Sequence, residues 1–148
     1  MEVFSREETT MDANGTTSSD EHPAPLALVR RALVVDGDAE HRILTKITLR
    51  MLSIDADVVP NGVEALTALM SGHYDLVLVD MALSDMRGPD LIRTLRANPR
   101  NRRIRVVAHS CYVLPGDVQR SFDAGCDAFI ERPYSPRTLE RAIAALFT

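Results

Sequence analysis

Charged and hydroxyl side chains follow several short apolar runs in this chain, at the points where the runs end. Asp36 and Asp80 each close such a run, and Ser110 and Arg132 follow two later ones. Apolar runs bounded by turn formers are typical of strands buried on both faces of a parallel sheet. Ligands and chemistry in open sheets of this kind lie at the carboxyl ends of the strands. We therefore treat these four residues as candidate site residues.

The order of the strands determines which of these side chains meet. In the flavodoxin-like order 2-1-3-4-5, the first and third strands are neighbours, so Asp36 and Asp80 share one pocket. Two adjacent carboxylates repel each other unless a cation lies between them. Mg²⁺ suits such a pocket because it takes one or two carboxylates, waters and a phosphate oxygen. Ser110 and Arg132 would lie beyond Asp80 as donors to a phosphoryl group.

The pattern of apolar runs and turn residues predicts a doubly wound α/β fold. Strands are predicted at residues 28–35, 55–59, 75–80, 104–109 and 127–131, and a helix follows each one. Asp38, Asn61 and Ser135 stand at positions suited to capping three of these helices. This alternation favours a flavodoxin-like (βα)5 domain with a parallel five-stranded sheet in the order 2-1-3-4-5.

Apolar residues at helical spacing predict which face of each helix packs against the sheet. The first helix carries Ile43, Leu44, Ile47 and Met51; the second, Ala65, Leu66, Leu69 and Met70; the third, Leu91, Ile92 and Leu95; and the fifth, Leu139, Ala142, Ile143 and Leu146. His109 lies among apolar residues near the end of the fourth strand. Strand alternation turns it away from Ser110, which predicts a packed histidine rather than a ligand.

The first 27 residues differ in composition from the rest. They hold six acids against one arginine and are rich in Ser, Thr and Pro. Such a segment buries too little apolar surface to offset its ordering entropy, so residues 1–27 are predicted to be a disordered tail. Residues 28–148 hold 15 acids and 16 bases, which gives no electrostatic case for nucleic acid binding.

Location is predicted from what the sequence does not contain. No apolar run approaches the roughly 20 residues of a membrane span, and the acidic N-terminus does not resemble a signal peptide. Cys111 and Cys126 lack the spacing of a metal or redox pair, which is typical of reduced thiols. A cytoplasmic protein is expected.

Four motifs, in order and spacing, resemble those of response regulator receiver domains in two-component signalling. They are LVVD ending at Asp36, DLVLVD ending at Asp80 with Gly88 eight residues on, VVAHS ending at Ser110, and GCDAFIERP spanning residues 125–133. The resemblance covers about residues 28–148. It implies a single-domain regulator that accepts a phosphoryl group from a histidine kinase or phosphotransfer protein.

The resemblance also implies roles for individual residues. Asp80 would be the phosphoacceptor, a nucleophilic carboxylate. Asp36, Asp80 and the backbone carbonyl of Ala82 would hold Mg²⁺, with Asp38 as a further candidate ligand. Ser110 would be the hydroxyl that closes on the phosphoryl group.

The resemblance implies that two aromatic residues form the switch, and it also implies an output surface. Phe129 matches the aromatic switch residue of the fifth strand, and Tyr112 would line the mouth of the site. The face formed by the fourth helix, fifth strand and fifth helix would contact a downstream protein, with a homodimer as a further option. Such a protein is a phosphoacceptor with autodephosphorylation as a side activity, and not a dedicated enzyme.

This sequence departs from the pattern it resembles at several positions. Gly37 stands where a second acid is usual, and Arg132 replaces a lysine with a larger planar cation. Ser84 replaces a proline, which predicts a looser loop after Asp80, and Ser110 replaces a threonine, which is a mild change. Two interpretations follow: a working receiver with altered metal dependence, or a pseudo-receiver that binds partners without phosphorylation.

A third interpretation belongs to another class of protein. Asp36-Gly37-Asp38 also resembles the start of a haloacid-dehalogenase-type phosphatase. Asp36 would then be the nucleophile and Asp38 the acid/base. Glu40 stands where that family has Thr or Val, and the chain has no room for a cap domain, so the receiver interpretation is favoured.

Overall fold

The computed structural model describes residues 3–5, 26–111 and 113–147 of the 148-residue chain. Its strands form one sheet in the order β1-β6-β5-β4-β2-β3. The strands are β1 (Val3–Ser5), β2 (Arg31–Val35), β3 (Asp55–Val59), β4 (Leu76–Asp80), β5 (Arg105–Ser110) and β6 (Ala128–Glu131). The strands β2 to β6 are parallel, in the predicted order, and β1 is antiparallel to β6. The predicted fold class is confirmed.

Five helices connect or follow the parallel strands. They are α1 (Ala39–Met51), α2 (Gly62–Ser71), α3 (Gly88–Ala97), α4 (Asp117–Ala124) and α5 (Pro136–Leu146), with a short 3-10 turn at Pro99–Asn101. The three predicted caps are confirmed. The Asp38 carboxylate accepts from the first turn of α1, the Asn61 side chain from the Glu64 N–H, and the Ser135 hydroxyl from the Thr138 N–H. These caps satisfy N–H groups that have no partner within the helix.

Alternation along the strands divides the core into two layers. Val77 and Val79 of β4 face one layer, which is closed by α2, α3 and α4. Leu76 and Leu78 face the other, which is closed by α1 and α5. In β6, Phe129 lies in the first layer and Ile130 in the second. Each layer buries a contiguous apolar cluster, the main favourable contribution to folding.

The predicted core face of α1 is wrong. The buried residues of this helix are Thr45 and Leu49, whereas Ile43, Leu44, Ile47 and Met51 are exposed by 51–73%. Positions 45 and 49 share one helical face, and positions 43 and 47 lie roughly opposite. The apolar spacing alone could not distinguish two faces that both carry large residues. Met70 at the end of α2 is exposed for a similar reason, whereas the predicted residues of α3 are buried.

The prediction of disorder is wrong for Val3–Ser5, which form β1. Val3 lies opposite Ile130 and Ser5 opposite Ala128. Without this strand, β6 would be a sheet edge with unpaired backbone N–H and C=O groups, a ready template for a further strand. Residues 6–25 of the predicted tail lie outside the described residues, so the boundary between tail and domain stays a prediction.

A single arginine ties together the loops at the amino ends of β5 and β6. The Arg96 guanidinium donates to the carbonyls of Gly125 (2.9 Å), Asn101 (3.1 Å) and Ile104 (2.7 Å). It also pairs with the Asp127 carboxylate at 2.8 Å, which accepts in turn from the Val106 N–H. No spacing or motif in the sequence indicates this junction.

Replacing this arginine should destabilise the fold. Arg96→Met keeps the aliphatic stem but leaves three carbonyls and a carboxylate with fewer donors, so we expect a loss of about 2 kcal/mol in the free energy of unfolding. The matched control is Arg93→Met, which breaks only the exposed pair with Asp90 and should cost less than about 0.5 kcal/mol. Urea unfolding measures both variants. Equal losses would contradict the role given to Arg96.

Candidate functional site

The carboxyl ends of the parallel strands bring most of the predicted site residues to one edge. Asp36 directly follows β2, and its N–H donates to the Val59 carbonyl at 3.1 Å. Asp80 ends β4 opposite His109, and Ser110 ends β5. The Arg132 N–H donates to the Ser110 carbonyl at 2.8 Å, which fixes the end of β6 beside that of β5. The predicted convergence at this edge is confirmed.

A buried ion pair between Arg132 and Asp36 occupies the centre of the site. Nη2 of Arg132 donates to Oδ2 of Asp36 in a short hydrogen bond. The two side chains are only 8% and 0% exposed. Burial alone would lower the pKa of Arg132, but its hydrogen bond to Asp36 and the charges nearby raise it above the ordinary value. The guanidinium is therefore a permanent cation at this site.

Two histidines contact the other two nitrogens of the guanidinium, Nε and Nη1. Nε of Arg132 donates to Nδ1 of His109 at 2.9 Å, and Nη1 lies 2.8 Å from Nδ1 of His41. Burial and the charge of Arg132 hold the pKa of His109 well below its usual range, so its ring is neutral and can accept. The prediction that His109 is a packed histidine is confirmed. Its contact with Arg132, and the part played by His41 of α1, were not predicted.

Asp80 differs from Asp36 in exposure and in charge. It is half-buried, and its Oδ1 accepts from the Ala82 N–H at 3.1 Å. Burial raises the pKa of Asp80, and the nearby charge of Asp36 adds to the rise, while the positive charge of Arg132 opposes it. The carboxylate of Asp80 is thus desolvated and close to a second acid, whose charge Arg132 partly neutralises. Such perturbed groups are typical of functional sites.

The loop after β4 is held close to the site by two features. A Cβ at Gly88 would lie 2.8 Å from the Asp80 carbonyl oxygen, so only glycine permits this approach. The Asp85 carboxylate accepts from the Gly62 and Val63 N–H groups, both at 2.9 Å, and so ties the loop to the start of α2. This contact fixes the segment around Ser84, where the missing proline predicted a looser loop.

The remaining predicted residues are not members of the Asp36–Arg132 side-chain pair. Ser110 is buried at the end of β5, and Phe129 is fully buried in the first core layer. Both oxygens of the Asp38 carboxylate face α1: Oδ1 accepts from its first turn, and Oδ2 lies 3.9 Å from Nδ1 of His41. Tyr112 lies outside the described residues. The functional roles of all these residues remain predictions.

The predicted Mg²⁺ donors do not fit a metal ion in this arrangement. Oδ2 of Asp36 accepts from Arg132, and Oδ1 accepts from the Asp38 N–H at 2.9 Å. Gly37 supplies no carboxylate. Within the described ranges, no group of three or more His, Cys, Asp or Glu side chains could hold a metal ion. Mg²⁺ requires near-octahedral oxygen ligands, and here a guanidinium already lies on the carboxylate that would begin the set.

The burial of Asp36 also bears on the phosphatase alternative. A nucleophile must reach the phosphorus atom of its substrate, and the Asp36 side chain is fully buried with both oxygens accepting hydrogen bonds. Asp38, the acid/base of that alternative, caps a helix. Neither residue is placed for that chemistry.

Comparison with known proteins agrees with this geometry. A family profile described as the response regulator receiver domain matches residues 32–144. The chain belongs to the response regulator receiver domain family. Members of this family are signalling phosphoacceptors rather than dedicated enzymes, and they interact with histidine kinases or phosphotransfer proteins and with downstream effectors. Receiver domains also bind Mg²⁺ in their active sites.

Individual relatives support this assignment. The DNA-binding response regulator MtrA of Mycolicibacterium paratuberculosis is 35% identical over 116 residues, which cover 78% of this chain and 50% of MtrA. A CheY-like receiver domain protein of Methanospirillum hungatei JF-1 is 26% identical, with a TM-score of 0.73 over 79% of this chain and 92% of that one. The chain spans about half the length of the MtrA proteins it matches. In the part of the chain that is described, no helix has the length and apolar character needed to cross a membrane.

A solved relative contains the metal ion that the sequence analysis predicts here. It is the receiver domain of a sensor histidine kinase from Pseudomonas aeruginosa PAO1, with a magnesium ion coordinated in the active site cleft. It is 24% identical, with a TM-score of 0.74 over 80% of this chain and 98% of that one. At this identity the likeness shows the fold.

Removing the charge of Asp80 should stabilise the fold. Because burial raises its pKa, the folded chain holds a proton there more readily than the unfolded chain, so ionisation costs stability as pH rises. Asp80→Asn lacks that charge. We expect it to be more stable than the wild type at pH 7, with the gap closing as pH falls through the raised pKa of the folded Asp80 and largely closed by about 3.9, the ordinary pKa of an aspartate.

Urea unfolding across this pH range measures the gap. Asp90→Asn is the matched control, since Asp90 is exposed on α3 and pairs with Arg93 in solvent. Lower stability of Asp80→Asn at pH 7 would contradict the electrostatic description of the site.

Proposed function

We propose that this chain is a receiver module that accepts a phosphoryl group on Asp80 and signals through protein–protein contacts. The observation that carries the proposal is the environment of Asp80, a half-buried carboxylate at the carboxyl end of β4 beside a buried cation. Family membership supports it, because receiver domains are signalling phosphoacceptors. A carboxylate with a raised pKa is a stronger nucleophile than a fully solvated one, and Arg132 offers positive charge to an incoming phosphoryl group.

The proposed reaction is a simple group transfer. A carboxylate oxygen of Asp80 attacks the phosphorus of a phosphohistidine or of a small acyl phosphate, and a new O–P bond forms. The P–N or P–O bond to the donor breaks, and its electron pair leaves with the donor nitrogen or oxygen. The freed imidazole is neutral because the other ring nitrogen of the phosphohistidine donor carries a proton, and the freed carboxylate of an acyl phosphate donor is anionic. The product is an aspartyl phosphate, and later attack by water on phosphorus would return Asp80 and inorganic phosphate.

Ser110 and Phe129 are proposed to transmit the modified state. Ser110 ends β5, the strand next to that of Asp80, at the edge of the sheet where the phosphoryl group would lie. The Ser110 carbonyl already accepts from Arg132, which connects this position to the end of β6. Phe129 lies in β6, buried in the first core layer. A movement of Ser110 toward the phosphoryl group would therefore reach Phe129 through β6.

Partners are proposed from family membership and from the shape of the sheet edge. A histidine kinase or histidine phosphotransfer protein would supply the phosphoryl group, and cytoplasmic location is proposed with it. The output face would include α4, β6 and α5. Backbone pairing with β1 along Ala128–Ile130 occupies the free side of β6, so a partner or second copy would contact the helices rather than the strand edge.

The proposal includes no metal step. Mg²⁺ was predicted for this chain, and the Pseudomonas relative is described with magnesium in its cleft. In this chain, Arg132 pairs with Asp36, and Gly37 stands where the family pattern has a second acid. The residues that would act on the phosphoryl group are therefore Asp80, Ser110 and Arg132.

Phosphoryl transfer to this site can be measured directly. Incubation with a small acyl phosphate should add the mass of one phosphoryl group to the intact chain, and Asp80→Asn should remove that gain because it lacks the nucleophilic oxygen. Asp90→Asn is the control, since it also removes one acid but lies exposed on α3. Peptide mapping should place the group on Asp80. An equal mass gain in Asp80→Asn would contradict the assignment.

A second function is favoured by one observation. The guanidinium of Arg132 has three side-chain partners, Asp36, His41 and His109, which hold it as a fixed structural element. On that basis the chain is a pseudo-receiver that binds its partner without phosphorylation. A folded chain that gains no phosphoryl mass from acyl phosphate or from phosphohistidine would favour this function.

A further inference from the structure

The acids of the site need a counter-charge, and the structure supplies one from the chain itself. Asp36 and Asp80 lie close enough for the charge of Asp36 to raise the pKa of Asp80. The Arg132 guanidinium pairs with Asp36 and is also attracted by the charge of Asp80. Two carboxylates this close would repel each other without a cation nearby, so Arg132 has an electrostatic role.

The position of the guanidinium is fixed by partners from three separate elements. Asp36 follows β2, His41 lies in α1, and His109 lies in β5. Each of the three guanidinium nitrogens therefore has a side-chain partner. A lysine could not replace this arginine, because an ammonium has three donors at a single atom and cannot span partners so far apart. Arg132 is thus built into the site rather than projecting from it.

Access for a divalent ion is reduced in the same place. Binding at Asp36 would require the ion to displace Nη2 of Arg132 and the Asp38 N–H from the two oxygens. The displaced guanidinium would remain within a few ångströms and repel the ion. The position of a further acid is Gly37, where a Cβ would lie 3.9 Å from the Ala82 carbonyl oxygen. That distance is an ordinary contact, so the chain has room for an acid here but does not carry one.

We infer that the Arg132 guanidinium takes the place of the divalent metal ion in this receiver, held on Asp36 by His41 and His109. Arg132 neutralises the carboxylate pair and excludes the metal. The consequence for catalysis rests on the proposed function of Asp80: phosphoryl uptake would proceed without a divalent ion, with the guanidinium facing the phosphoryl oxygens. The inference that Arg132 occupies the metal position does not depend on Asp80 being a phosphoacceptor.

Metal binding tests the cation position. Mn²⁺ broadens amide resonances near its binding site, so we would titrate Mn²⁺ into the isotope-labelled full chain and follow residues 36–38 and 80–82. The Pseudomonas receiver described with magnesium serves as the positive control. We expect no saturable broadening in the wild type. Saturable broadening of both segments in the wild type, comparable to that of the control, would overturn the inference.

Two variants test whether Arg132 is the cause. Arg132→Gln removes the cation, and Gly37→Asp combined with Arg132→Lys restores the acid and lysine of the family pattern. We expect Mn²⁺ affinity to rise by about tenfold or more in each variant. Both variants release Asp36 from the guanidinium, and Arg132→Gln also removes the repulsive charge, whereas the double variant adds a second acid. The double variant keeps a positive charge, so it remains informative if Arg132→Gln fails to fold. Folded variants that still fail to bind Mn²⁺ would show that Arg132 does not exclude the metal, and would overturn the inference.

Phosphoryl uptake separates this inference from the proposed function. The wild type should take up phosphoryl from a small acyl phosphate at the same rate in excess EDTA and in excess Mg²⁺, whereas the double variant should need Mg²⁺. Uptake by the wild type only with Mg²⁺ would overturn the inference and leave the phosphoacceptor function intact. No uptake in either condition would overturn the phosphoacceptor function, and the Mn²⁺ titration would still decide the cation position.

Discussion

The buried pair of Arg132 and Asp36 is the interaction on which the site depends. Removing two charges from water is costly, and the cost is recovered only when geometry and further hydrogen bonds are good. Here Asp36 also accepts from a backbone N–H, and Arg132 has two histidine partners. The buried side-chain nitrogen and oxygen atoms of the described residues all have hydrogen-bond partners, as a stable polar cluster in a low dielectric requires.

This pair also explains the properties of its neighbours. His109 stays neutral because it is buried beside a cation, and a neutral ring can accept from Arg132. Asp80 keeps a raised pKa because it is desolvated and lies beside Asp36, yet it remains half-exposed at the mouth of the site. The fully buried acid therefore serves to hold a cation, and the accessible acid is free for chemistry. Environment assigns different roles to two residues of the same type.

Much of this arrangement follows from the sequence, because strand ends are visible in it. The apolar runs before Asp36 and Asp80 mark buried parallel strands, and the topology of such strands places both acids at one edge. Capping by Asp38, Asn61 and Ser135 was also readable, since those residue types have a local reason to stand there.

The features that were predicted wrongly or missed are those that depend on tertiary contacts. The buried face of α1 centres on Thr45 and Leu49, although larger apolar residues lie on the other side. Strand β1 depends on an exposed edge of β6 more than a hundred residues away in sequence. The contacts of Arg132 with His41 and His109 join residues distant in sequence, and no spacing rule indicates them. The one available signal was Arg132 at the position where the family pattern has a lysine. This replacement indicates a changed site but does not show which residues Arg132 contacts.

The most direct test of the account is the state of the Arg132 side chain in solution. A guanidinium N–H that is buried and donates to His109 should give a slowly exchanging ¹⁵Nε resonance at neutral pH, assigned by its loss in Arg132→Lys. We expect this resonance to be present and to stay unchanged when Mg²⁺ is added. A resonance that shifts saturably with Mg²⁺, or an Nε–H that exchanges as fast as that of a solvent-exposed arginine, would contradict it.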